Sequence, residues 1–178
     1  FRGGRKSIDI HAYRDMDLFF DDLVYNYKKE IDALYKAGCR YIQLDDTNLA
    51  YLCDPKMRAG ARERGDDPDE LPKTYAQLIN RVIDGRPDDL TMAIHLCRGN
   101  YRSTWFAEGG YEPVAEILFS QINVDAYFLE YDDERSGDFA PLRYVPENKI
   151  VVLGIISSKI PQLEDMADLA KRIDEASQ

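Results

Sequence analysis

The sequence predicts an α/β fold: a parallel sheet of about four strands alternating with helices, forming part of a TIM (β/α)8 barrel. Three observations predict it. Segments of helical period alternate with short β-prone runs along the whole chain. Polar residues gather at the C-terminal ends of those runs: Asp45 and Asp46, His95 and Cys97, Glu130, then Ser157 and Ser158. No GxGxxG or GKT loop follows any run, which disfavours dinucleotide binding. Period alone leaves a doubly wound sheet and a barrel both open, and the polar strand ends favour the barrel, whose active sites lie on that face.

From Asp17 to Ala37, apolar residues recur at helical spacing (Phe20, Leu23, Val24, Tyr27, Ile31, Leu34), and Gly38 stands where a helix C-terminal glycine belongs. Tyr41 to Leu44 reads as a buried strand stopped by Asp45-Asp46. Residues 57–72, rich in Arg, Gly, Asp and Glu, are expected to be a solvated loop. Helical spacing returns over 71–83, followed by a strand over 91–94 that ends at His95. Residues 111–120 supply a third helix and 126–129 a third strand, ending at Glu130. A fourth strand over 150–156 precedes a last helix near 163–176. A complete barrel takes about 250 residues. Residues 1–178 are therefore expected to be a single partial domain, lacking the barrel's first strands and its last; both ends read as cut.

A net charge of -10 with no Lys/Arg stripe argues against nucleic acid or an anionic membrane surface as partner. No run approaches the roughly 18 apolar residues of a membrane span, and Phe1 to Arg5 lack the apolar core of a signal peptide. Cys39, Cys53 and Cys97 form no CxxC pair, and an odd number argues against a disulfide framework. A reducing, cytoplasmic setting is expected.

In a strand, residues two apart share a side, so His95 and Cys97 can present an imidazole and a thiolate together. Glu130, at the end of the next strand, can add a carboxylate, giving three ligands of a tetrahedral zinc site. The competing reading is a hydrogen-bonded core histidine, a small buried cysteine and a capping acid. Asp45 either caps the following helix or points into the barrel mouth to hold a substrate ammonium; Asp46, facing the other way, is then structural. Trp105 and the nearby tyrosines either stack on a flat ligand or pack. His11, Cys39 and Cys53 are assigned structural roles. Residues 132–138 are expected to be a solvated loop, with Arg135 as a carboxylate clamp the alternative.

The strings Tyr-Ile-Gln-Leu-Asp-Asp (41–46), His-Leu-Cys-Arg-Gly-Asn (95–100) and Phe-Leu-Glu (128–130), in that order, resemble the catalytic barrel of cobalamin-independent methionine synthases, especially the short single-barrel bacterial members. The likeness runs through nearly the whole chain. It implies that His95, Cys97 and Glu130 bind catalytic zinc and that Asp45 binds the amino group of homocysteine. The fourth ligand, a cysteine on a later strand, would lie outside this segment. The activity implied is methyl transfer to the homocysteine thiol to form methionine. Where the folate-using members carry a histidine that protonates the departing folate, this chain reads Ile156-Ser157-Ser158-Lys159. A methylated corrinoid or another small donor therefore stands beside methyl folate. Alkylation of another thiol, such as coenzyme M, and a non-catalytic barrel remnant are the alternatives.

Overall fold

The computed structural model describes residues 4–178. The expectation for Phe1 to Arg5 lies partly outside them. Four parallel strands, β1 (Tyr41–Asp45), β2 (Thr91–Leu96), β3 (Ala126–Glu130) and β4 (Ile150–Gly154), lie side by side in chain order. A doubly wound sheet reverses its strand order at a switch point. This sheet does not reverse, so its topology is that of a barrel arc.

Among the described residues, six α-helices connect and flank the strands: α1 (Met16–Lys36), α2 (Asn48–Tyr51), α3 (Pro55–Glu63), α4 (Leu71–Ile83), α5 (Ala115–Gln121) and α6 (Met166–Ala176). Their ends follow local chemistry. Asp15 caps α1 by accepting from the Asp17 N–H, and Asp165 caps α6 by accepting from Ala167 and Asp168. Gly38, just past the end of α1, takes φ +102°, a conformation that favours glycine.

Residues 57–72 depart from expectation, because α3 occupies the first half of the segment. The helix contributes little to the core; only Ala61 is buried. Its start is set instead by Asp54, which accepts from the Lys56 and Met57 N–H groups, with Pro55 in the first turn, where its missing N–H costs nothing. Strand β2 also runs two residues past the expected end, which puts His95 inside the strand and Cys97 just beyond it.

Met92, Ile94 and Leu96 of β2 and Tyr127 and Leu129 of β3 are buried in one core with Leu118 and Phe119 of α5. Each such Leu or Ile contributes about 1.5–3 kcal/mol through burial. The alternate residues of the strands face the opposite side, which is the inside of the arc. There Tyr41, Ile150 and Val152 of the two outer strands are exposed. No helix among the described residues is long and apolar enough to cross a membrane.

Candidate functional site

Strand register brings the first two candidates together. Asp45 and His95 are Cα partners across β1 and β2, and the His95 Nδ1 meets the Asp45 Oδ1. The Asp45 side chain is otherwise exposed, at 72%. Asp46 points away and caps α2, accepting from the Asn48 N–H at 2.7 Å and more weakly from Leu49.

Two residues beyond Cys97 the chain turns at Gly99, which takes φ +91°. Cys97 lies on the same side of the sheet as His95, and both line one cavity. The neighbouring His95 imidazole, aided by the Gly99 N–H, lowers the Cys97 thiol pKa against the opposing effect of burial. The same interaction raises His95 to about 9; partial burial opposes the rise and Asp45 adds to it.

Glu130 ends β3 with its side chain 8% exposed. Its Oε1 accepts from Lys159 Nζ and Arg135 Nη2, each at 2.7 Å, and its Oε2 accepts from the Arg98 N–H. Burial alone would raise its pKa, but Lys159, Arg135 and the Arg98 N–H together bring it below the usual value. Asp132 shares both cations, at 2.9 Å from Lys159 Nζ and 2.8 Å from Arg135 Nη2. Its carboxyl is likewise lowered, with burial outweighed by Lys159 and Ser157.

The expectation that 132–138 is a solvated loop is thus corrected at three positions: the Asp132 and Arg135 side chains are 3% and 7% exposed, and Ser136 is fully buried. The charges are buried because they neutralise one another across β3 and the loop after β4. Arg135 clamps carboxylates of this chain, with its guanidinium 4.7 Å from the Trp105 ring. Trp105 also donates to Glu108 at 3.1 Å.

Sequence reasoning missed Arg98, whose side chain is wholly buried. It donates to the carbonyls of Gly109 (2.7 Å), Glu130 (2.9 Å) and Ser136 (3.2 Å), and lies 4.2 Å over the Tyr111 ring. Tyr111 is a packing tyrosine: its hydroxyl donates to Leu96 O and accepts from the Glu130 N–H, tying the ends of β2 and β3. The available signal for Arg98 was an arginine shortly after an apolar strand and directly before a glycine. Lys159 had no local signal, being 29 residues from Glu130.

His95, Cys97, Glu130 and Lys159 line one cavity of about 310 Å³, with Phe128 and Val152 among its apolar walls. Asn100 donates to Ser158 Oγ at 2.9 Å, linking the loops after β2 and β4 beside it. Among the described residues, no three of His, Cys, Asp and Glu are gathered closely enough to hold a metal ion. A larger groove, about 690 Å³, lies at the opposite end of the strands. Its charges serve the fold: Arg86 forks onto Asp125 at 2.9 and 3.1 Å, and Asp125 accepts from the Met92 N–H.

The remaining assignments are structural. Cys53 is buried, with its thiol pushed up to about 12 by desolvation. Cys39 donates to Tyr41 O, and His11 is exposed.

No family model matches the chain. It is 49% identical over 175 residues to the Bacillus subtilis protein YxjH, described as uncharacterized, covering 98% of this chain and 46% of that protein. A solved structure from Listeria monocytogenes, provisionally named a vitamin-B12 independent methionine synthase, is 45% identical with a TM-score of 0.72. The match covers 92% of this chain and 45% of that one. The Pyrococcus horikoshii methionine synthase is 26% identical over 161 residues, covering 90% of this chain and 39% of that enzyme. This chain thus spans about half the length of the relatives it matches. Its four strands and their helices form part of a TIM-type barrel, and its similarity is to methionine-synthase-like proteins.

Proposed function

We propose that this chain is the thiol-activating part of a cytoplasmic, zinc-dependent methyltransferase that methylates homocysteine to form methionine. The observation that carries the reading is the His95–Cys97 pair, an imidazole and a thiol of lowered pKa on one side of a strand end, sharing a cavity with Glu130. Residues 1–178 would contribute about four βα units, with the first strands and the last supplied by chain outside this segment.

Nitrogen, sulfur and carboxylate donors lining one cavity are the donor types zinc takes, although within this segment alone they are not gathered closely enough to hold it. His95, Cys97 and Glu130 would hold it, with a fourth ligand from outside the segment. When bound, zinc would ionise the acceptor thiol, whose ordinary pKa is ~8.5. Asp45, exposed and in contact with His95 of the cavity wall, would offer a carboxylate to the acceptor's ammonium through a charge-assisted hydrogen bond. Its contact with His95 would also orient the imidazole as a metal ligand. Phe128 and Val152 supply apolar walls that limit water around the sulfur. The methyl donor is a methyl folate or a methylated corrinoid.

Zinc content of the full-length protein and of its Cys97→Ala variant, measured after dialysis, tests the reading. One zinc per chain, lost on substitution, with methionine formed from homocysteine and either donor, is the expected result. No zinc in either protein would return His95, Cys97 and Glu130 to ordinary structural roles.

A further inference from the structure

The cavity that holds Cys97 is walled by the ends of β2, β3 and β4 and by the loops that follow them. Leu129 and Glu130, at the end of β3, are buried, whereas Asn100 and Ser158 are exposed. Asn100 belongs to the loop after β2 and Ser158 to the loop after β4, so β3 lies between them in the sheet. The 2.9 Å bond from Asn100 Nδ2 to Ser158 Oγ therefore crosses the cavity on its solvent side, over the end of the middle strand.

The two loops are anchored separately. In the first, the Phe106 and Ala107 N–H groups donate to Arg98 O at 2.8 and 3.1 Å, and Tyr101 and Thr104 exchange two backbone bonds across a tight turn at Arg102 and Ser103. In the second, the Ser157 N–H donates to Glu164 Oε1 at 2.7 Å and its hydroxyl to Asp132 at 2.9 Å, while Lys159 Nζ is bonded to Glu130 and Asp132. Between them, Asn100 and Ser158 make a neutral bond open to water, which outcompetes hydration by about two- to tenfold. That bond can part without disturbing the anchors. We propose that Asn100 and Ser158 form a strap across the cavity and select by size what reaches Cys97. Small molecules pass beside the closed strap, and bulky ones need it open. The strap goes beyond the methyl-transfer reading and holds with or without a metal.

The test is alkylation of Cys97 in the full-length protein, with a chelator present, by iodoacetamide and by its fluorescein conjugate, which carries the same reactive group. Peptide mass spectrometry reads the labelling at Cys97. Ser158→Ala and Asn100→Ala are each expected to speed the conjugate by about two- to tenfold and to leave the rate of iodoacetamide unchanged. Asn100→Asp, whose carboxylate can accept from the Ser158 hydroxyl, is expected to keep the wild-type ratio of the two rates. Thermal unfolding checks that each variant folds, and either alanine variant suffices if the other does not. Rates that rise together for both reagents, or for neither, overturn the strap. Zinc content of the same proteins is read separately: no zinc, with the conjugate still faster in the alanine variants, removes the metal reading and leaves the strap standing.

Discussion

Asp45 and His95 face one another across the β1–β2 ladder, and the carboxylate of the first meets Nδ1 of the second. A carboxylate on one ring nitrogen fixes the tautomer and directs the other nitrogen toward a metal. Asp45→Asn is therefore expected to weaken zinc binding by about tenfold or more. Chelator competition on the full-length protein checks this. Unchanged zinc affinity with a raised KM for the thiol substrate would leave Asp45 with substrate contact alone.

The His95–Cys97 pair sets a pH dependence in the zinc-stripped protein. His95 rises from 6.5 to about 9, chiefly through its interaction with Cys97. The stability it contributes is complete below pH 6.5 and is lost as pH rises through about 9. Cys97, lowered from 9, contributes stability that is complete above that value and is lost as pH falls through its lowered pKa. The thermal stability gap between wild type and His95→Gln should accordingly narrow as pH is raised from 6.5 to beyond 9. Iodoacetamide should alkylate Cys97 at a lower pH in wild type than in His95→Gln; coincident profiles would show that the pair does not activate the thiol.

Arg98 joins the loop after β2 to the end of β3 from a fully buried position. Arg98→Met keeps much of the stem but leaves the carbonyls of Gly109, Glu130 and Ser136 without this donor. A loss of about 3–5 kcal/mol is expected, the scale for breaking a buried charged network. Urea unfolding of the full-length protein measures it, and a loss below about 1 kcal/mol would mean that water replaces the guanidinium at little cost.

Two glycines separate crowding from backbone conformation. A Cβ at Gly109, φ +106°, would collide with the Cys53 carbonyl oxygen, whereas one at Gly85, φ +74°, would meet nothing within 4 Å. Gly85→Ala is expected to cost about 1–2 kcal/mol, the left-handed backbone penalty alone. Gly109→Ala should add an overpacking cost of about 1–3 kcal/mol. Thermal unfolding of the two variants side by side checks the order; equal losses would show that the 107–110 loop yields without strain.

Much of the fold was legible because its signals are local. Helix α4 falls where the apolar spacing over 71–83 puts it, and Gly38 follows α1 in the left-handed conformation its position predicts. The period-2 rule puts His95 and Cys97 on one side of a strand end. Helix α3 was missed because its start depends on a cap and a proline, while its composition resembles a loop.

The α/β alternation, the identity of the strand-end residues and the absence of a phosphate loop could all be read from the chain, because periodicity and motif are properties of neighbouring residues. Packing settled the rest: that the strands run in unreversed order, that Asp45 falls opposite His95, and that Asp132 and Arg135 are buried. It also brought Lys159 to Glu130 across 29 residues. Those relationships depend on how separate βα units pack and where their loops return, and no local pattern encodes the distance between two side chains on different strands.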